Sequence, residues 1–414
     1  MTERQRLGVG MVGYAFMGAA HSQAWRSVNR FFDLPLEVDL AAVCGRDQAK
    51  VTAAAAKLGW RSHETDWKAL LRRDDIDLVD ICTPGSSHAE IALAALAAGK
   101  HVLCEKPLAN TVEEARAMAE AAERAAAAGV RSAVGFNYRR IPAASYARDL
   151  VAAGRLGTLR HVRAVYLQDW LVDPEFPLAW RLRREIAGSG ALGDIGAHII
   201  DLTQFISGQR VTGVCALTET FVRERPLPAA VAGLSATGLS ASGLSATGQG
   251  GANGQGGAKG RGGATGTVTV DDAALFLARL EGGALASYEA SRFALGRKNG
   301  LRVELNGSEG SLVFDLERLN ELEFYDGRVD DETAGFTRVL VTEPGHPYLD
   351  AWWPPGHALG YEHSFTHEVR DLVAAIADGT PPTPSFADGL QVQLVLDAVG
   401  RSAAGGSRWT HVED

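Results

Sequence analysis

Cysteine is scarce in this 414-residue chain: Cys44, Cys82, Cys104 and Cys215 stand far apart, with no Cys-x-x-Cys pair. That spacing argues against a thiolate metal cluster or a redox dithiol and predicts reduced thiols, three of them at the ends of buried strands. Long apolar runs are missing too. None approaches the ~20 residues of a membrane-spanning helix, and Leu7–Val12 is too short for a secretory apolar region. The expected location is the cytoplasm, with no membrane partner. Positive charge is also in short supply: 41 Lys and Arg against 50 Asp and Glu leave a net charge of −9. Arg139-Arg140 and Arg183-Arg184 are isolated pairs rather than a cationic stripe, so nucleic acid is not an expected partner. His363 and His367 lie four apart, without a third ligand, on a helix face expected to be solvated or half-buried, and no metal site is expected.

What the chain does have is alternation. Leu7–Val12, Val38–Cys44, Leu78–Cys82, His101–Cys104 and Arg131–Phe136 read as strands, separated by Ala-rich helical stretches. Continuous apolar strands joined by helices predict a parallel sheet covered on both faces, a doubly wound Rossmann α/β domain over residues 1–136. From 137 to 414 strands follow one another, with turns at Gly282-Gly283 and Gly307. This predicts an α+β substrate and oligomerisation domain built on a large, mainly antiparallel open sheet. Two amphipathic helices near Tyr361–Ala377 and Ala387–Ser402 close it. A Gly-, Ser- and Ala-rich stretch at about 229–266, with three tandem Gly-Leu-Ser-Ala repeats, is expected to be a disordered insertion.

Two glycine frames overlap at the N-terminus. Gly8-Val-Gly-Met-Val-Gly13 would bury its first glycines in the strand, whereas Gly13-Tyr-Ala-Phe-Met-Gly18 follows the strand and opens the helix. The second frame lets the backbone at Gly13, Ala15, Phe16 and Met17 face a pyrophosphate. At the end of the second strand, Gly45-Arg46 suits the 2′-phosphate of NADP, while Asp47 suits NAD if the loop bends.

Chemistry is expected at two further places. Lys106, in Cys104-Glu-Lys-Pro107, follows a strand end where parallel-sheet ligand sites form, and can polarise a substrate oxygen. Asp194 and His198, downstream of a glycine-rich turn, share one helix face four residues apart, with Asp201 one turn further. A carboxylate beside an imidazole raises its basicity, as a general base requires. Pro347-Tyr348 and Trp352-Trp353 form an aromatic loop read as packing rather than as a ligand site.

Together Gly13–Gly18 with His21, Thr83-Pro84 with His88, Glu105-Lys106-Pro107 and Gly193-Asp194 with His198 resemble the Gfo/Idh/MocA oxidoreductase family over nearly the whole chain. The resemblance implies a catalytic set of Lys106, Asp194 and His198. It puts Thr83, Pro84, His88, Glu105 and Asn137 along the cofactor, and Tyr138, Trp170 and Arg181, with Asn137 again, near the substrate. Gly85 departs from the family, which often has Asn after Thr-Pro. The segments Tyr166–Trp170, Trp180-Arg181 and Ser385–Gly389 are similar to those of members that oxidise a sugar, anhydrosugar or polyol at a secondary alcohol. The implied reaction passes hydride to the nicotinamide of NAD(P). His198 and Lys106 share the roles of base and oxygen-holding donor, in an order the residues leave open, and Asp194 orients them. Gly45-Arg46 leans toward NADP and the resemblance toward NAD. A homodimer or homotetramer is implied as well. An NAD-dependent glycosidase and a non-catalytic dinucleotide sensor are the alternatives.

Overall fold

The computed structural model describes residues 5–228, 263–330 and 332–413. The first third builds β1 (Gln5–Val12), α1 (Phe16–Phe31), β2 (Leu36–Cys44), α2 (Gln48–Leu58), β3 (Ser62–Glu64) and α3 (Trp67–Leu71). It continues with β4 (Leu78–Ile81), α4 (His88–Ala97), β5 (His101–Glu105), α5 (Val112–Ala127) and β6 (Ser132–Gly135). The six strands lie in the order β3-β2-β1-β4-β5-β6, all parallel. β4 and β6 are buried throughout, as strands covered on both faces must be. Local chemistry sets the helix ends: Asp47 caps α2, Gly59 ends it at φ 83°, and Thr111 with Glu114 forms a capping box on α5. The short β3 and α3 carry too few residues to show a period, and sequence reading passed over them.

The rest of the chain forms α6 (Pro142–Ala152), β7 (Leu159–Leu167), α7 (Arg184–Ala187), α8 (Ala197–Ser207), β8 (Val211–Glu219), β9 (Glu224–Pro226) and β10 (Thr265–Thr267). Next come β11 (Ala273–Leu280), β12 (Leu285–Ser291), β13 (Gly300–Gly307), β14 (Gly310–Asp315), β15 (Glu321–Asp326) and β16 (Thr337–Leu340). α9 (Tyr361–Asp378), α10 (Phe386–Ala404) and β17 (Thr410–His411) complete it. Nine of these strands make one sheet, ordered β16-β15-β14-β13-β7-β12-β11-β8-β17, in which β7 and β12 are the parallel pair. Strict alternation along β11 leaves Leu275, Leu277 and Arg279 outward and buries their neighbours.

Contacts divide the described chain into two compact units. Tyr361–Gln393 joins residues up to Asn137 in the first, while the described residues between Tyr138 and Gly360 and from Leu394 onward make the second. The first unit thus takes in a stretch of chain well beyond the boundary expected at 136. Phe365, Val369, Leu372 and Val373 of α9 share a core with Trp25 and Val28 of α1, because an amphipathic helix settles on whichever apolar face covers it. His367 is fully buried rather than on a solvated or half-buried face. At the end of the stretch expected as an insertion, Thr265–Thr267 pairs with Glu224–Pro226, and the Ala264 carbonyl accepts the Leu227 amide. Residues 229–262 of that stretch lie outside the described residues. Among the described residues, no helix is long and apolar enough to cross a membrane. Cys44 and Cys104 are buried free thiols, with Cys44 pushed up to about 12 by burial first and then by Asp66 and Glu64.

Candidate active site

The turn after β1 is glycine by necessity. Gly13 has φ 103°, and a Cβ there would meet the Cys82 carbonyl at 2.7 Å. At Gly18 a Cβ would come within 2.3 Å of the Gly13 oxygen, so helix and strand close on each other only without side chains. Ala15 caps α1 with no side-chain hydrogen bond, and no acidic residue occupies the first turn. Ala15 and Phe16 are exposed there. The positive end of the helix and its amides are left for an anion, which fits a dinucleotide pyrophosphate. At the end of β2, Gly45 is the spacer over Tyr14, whose Cε1 would lie 2.0 Å from an added Cβ. Arg46 is exposed beside it. The Asp47 carboxylate accepts from the Lys50 amide (3.1 Å) and pairs with its ammonium (3.2 Å), so it is spent on capping α2.

Under this turn lies a buried charge relay that sequence reading noticed only as part of a motif. His21 sends Nδ1 to Asp80 (2.9 Å) and Nε2 to Glu105 (2.9 Å). Two carboxylate partners require protons on both nitrogens. Burial pulls the His21 pKa down, but the Asp80 charge, then Cys82 and the hydrogen bond His21 donates to Asp80, carry it well above the ordinary value. Trp25 Nε1 adds a bond to Asp80 at 2.7 Å. Donor atoms of His21, Asp80 and Cys82 lie within 4.8 Å of one another, yet an imidazolium has no lone pair to give a metal. Glu105, expected along the cofactor, is therefore turned inward. Its second oxygen accepts the Lys106 amide at 3.0 Å, which anchors the backbone carrying Lys106.

Thr83 and Pro84 follow β4 and are partly exposed. His88 behind them is buried and offers no ring nitrogen outward. Nε2 meets the Thr83 carbonyl (2.8 Å) and Nδ1 the Pro107 carbonyl (3.0 Å), so His88 joins two loops. Burial, the largest influence, holds its pKa below the ordinary value. Asn110 occupies the space a side chain at Gly85 would need, its Oδ1 falling 2.4 Å from an added Cβ. Asn137 is buried and donates to Ser364 of α9 at 2.8 Å.

In the second unit, the expected continuous helix through Asp194 and His198 is interrupted. Leu192–Gly196 is a π-helical turn that leads into α8. The cause is Asp271, which no motif marked: its carboxylate accepts the amides of Gly190 and Leu192 at 2.7 Å each, and its carbonyl that of Ala191 at 3.0 Å. A Cβ on Gly190 would lie 1.7 Å from the Asp271 carbonyl oxygen. Such wide turns recur at functional sites.

His198 is buried. Its ring stacks on Tyr138 at 4.4 Å and meets Tyr166 edge-on at 5.9 Å. From there a polar ladder runs outward. Tyr138 and Tyr166 share a hydroxyl bond (2.8 Å), and Tyr166 donates to Asn299 (2.7 Å). Gln168 donates to the same Asn299 oxygen (2.9 Å) and accepts from Trp170 Nε1 (2.9 Å). Gln168, Trp170 and Asn299 are half-buried. Gln168 was marked only as part of the Tyr166–Trp170 segment and Asn299 not at all, because only the fold, at the ends of β7 and β13, brings them together. Arg181 is also half-buried, its guanidinium over the Trp180 ring at 4.4 Å. Asp201 does not extend the Asp194–His198 pair: Arg139 grips it through Nε at 2.9 and 3.0 Å, a buried ion pair.

Comparisons with known proteins agree with this architecture. Residues 7–135 match the oxidoreductase family model with the NAD-binding Rossmann fold, and 145–313 match the GFO/IDH/MocA C-terminal domain. The levoglucosan dehydrogenase of Pseudarthrobacter phenanthrenivorans is 40% identical over 402 residues, 97% of each chain. The crystal structure of an oxidoreductase domain protein from Kribbella flavida superposes with TM-score 0.89 at 61% identity, covering 99% of this chain and 100% of that one. A levoglucosan dehydrogenase in complex with NADH and L-sorbose superposes at 0.88 with 38% identity, over 99% and 100% of the two chains. With both of its halves matched and its length shared end to end with such relatives, the chain belongs to the Gfo/Idh/MocA family of NAD-binding oxidoreductases.

Proposed function

We propose that the protein is a cytoplasmic NAD(P)-dependent dehydrogenase that oxidises a secondary alcohol of a neutral pyranose-like sugar or anhydrosugar. The observation that carries this reading is the ladder Tyr138–Tyr166–Asn299–Gln168–Trp170 beside His198. It combines amide, phenol and indole groups, the uncharged donors and acceptors that match sugar hydroxyls, with a flat aromatic face. Bound NAD(P) supplies the hydride acceptor. His198 takes the hydroxyl proton, Asp194 orients it, and the Lys106 ammonium stabilises charge on the reacting oxygen. Anchoring of Lys106 through Glu105 and His21 supports its assignment as a positioned donor rather than a solvated one. Exposed Arg46, with Asp47 occupied on α2, supports tolerance of the NADP 2′-phosphate alongside NAD.

We also read the protein as a homo-oligomer. Leu217, Leu275, Leu277 and Leu285 are 48–65% exposed on adjacent strands of the nine-stranded sheet, with Leu217 and Leu275 directly paired. An open apolar sheet face of this kind suits burial against a second copy. The test of function is a screen of anhydrosugars, pyranoses and inositols with each cofactor, followed by reduced-cofactor absorbance. Turnover of an anhydrosugar or pyranose is expected. Turnover confined to charged sugars, or to none, would overturn the substrate assignment.

A further inference from the structure

Arg292, just after β12, is completely buried, yet it is poorly compensated for a buried cation. Nη2 donates to the Asp271 carbonyl at 2.9 Å. Nε and Nη1 make no hydrogen bond among the described residues. The carboxylate that Nη1 faces is Asp194, with Oδ2 at 3.7 Å, and Asp194 keeps 30% of its side chain exposed. The guanidinium also lies over the Trp170 ring at 5.6 Å. A buried charge is costly unless fully bonded, and a purely structural arginine would be expected to fill its donors.

The glycine-rich turn explains how the cation reaches this place. A Cβ on Gly190 would lie 2.8 Å from Arg292 Nη2, as well as 1.7 Å from the Asp271 carbonyl oxygen. The missing side chain admits Asp271 and the guanidinium together. Asp271 then ties the amides of Gly190 and Leu192 with its carboxylate while its carbonyl holds Arg292. One residue thus connects the backbone that carries Asp194 to the cation that faces it.

We propose that Arg292 is a positioning residue for the reaction: it keeps Asp194 a carboxylate and aims it, through a gap that Gly190 leaves open. This rests on the reading of Asp194 and His198 as the proton-handling pair. Asp194 is faced by Arg292 from the segment after β12 and by Arg181 from the Trp180–Leu182 turn, and His198 follows it by one turn. Asp194 acts in turn on Arg181, whose pKa burial lowers, Asp194 raises and Arg292 lowers. Asp272 adds a second carboxylate that interacts with Arg292. Its own pKa is raised by burial and pulled back by the Val222 amide and by Arg292. Arg181 does not replace Arg292, because it is half-buried and already lies over Trp180.

The sign of the effect follows directly. A nearby cation favours the carboxylate, so its loss raises the pKa of Asp194, and also that of His198 if the two titrate as a pair. In Arg292→Met holoenzyme the acid limb of the kcat/KM profile is expected to move to higher pH by about one unit or more. KM at the pH optimum should change less than kcat. Arg292→Lys keeps the charge and is expected to keep the wild-type limb at a reduced kcat. An unmoved limb in a folded Arg292→Met would overturn the proposal. Should that variant fail to fold, a limb in Arg292→Lys displaced by a full unit would overturn it as well. Asp194→Asn separates the two layers. Near-normal turnover there removes the reading of the pair and the proposal with it, whereas lost turnover with an unmoved Arg292→Met limb removes the proposal alone.

Discussion

His198 has little room to turn, with Tyr138 flat against one side and Tyr166 edge-on to it. A ring held this way is preorganised for proton transfer, and removing it should cost rate far more than stability. His198→Ala and Lys106→Ala are each expected to lose roughly 10²–10⁴ in kcat while circular dichroism and melting stay close to the parent. Stopped turnover with lost structure, or near-normal turnover in both, would contradict these two roles. His21 makes a different prediction, one of stability. Its pKa is raised in the folded state because Asp80 outweighs the burial that lowers it. A raised pKa contributes stability that is fully present below the unfolded value of about 6.5 and is lost as pH climbs through the folded value. The melting-temperature gap between wild type and His21→Gln should therefore be widest at or below that pH and narrow in alkaline buffer. A gap that widens with rising pH would show that the ring is held neutral. These residues illustrate what one-dimensional reading can reach. Lys106, Asp194 and His198 sit in motifs, whereas Asp271, Arg292 and Asn299 stand in no pattern and come to the site through strand register.

Among the elements, the short turn from Gly188 to Gly196 differs most from its sequence-based expectation. A spacing of four predicted one helix face, but amides at 190, 191 and 192 are drawn to Asp271, and the backbone opens into a π-helical turn before α8 begins. Gly190→Ala is expected to destabilise the fold by about 1–3 kcal/mol, the usual cost of forcing atoms into filled space, and to lower kcat by moving Asp194. Thermal melts and steady-state rates measure both effects. Unchanged melting would mean that the Asp271 loop yields easily. Elements with strong patterns were legible to within two residues: β1, β2, β4 and β5 fall where the apolar runs put them. The wide turn was not, since its cause lies some eighty residues away in the sequence.

For the whole molecule, the outward leucines of β8, β11 and β12 are the feature without a partner inside the described chain. Leu217→Lys combined with Leu277→Lys is expected to shift the protein toward monomer in light scattering, with each unit still folded. An unchanged mass would place the self-association surface elsewhere.

Composition, period and turn chemistry alone determined two folding patterns and the nucleotide turn, because each depends on neighbours within a few residues: Gly13 at its positive φ, Asp47 and Thr111 at helix starts, alternation along β11. Tertiary structure decided the rest. It turned Glu105 inward onto His21 and joined α9 to the first unit. It paired Asp201 with Arg139, and it brought Arg292 to Asp194 through the space left by Gly190. Each of those outcomes satisfies a buried charge or an apolar face with a partner distant in sequence, and no local pattern encodes which partner that is.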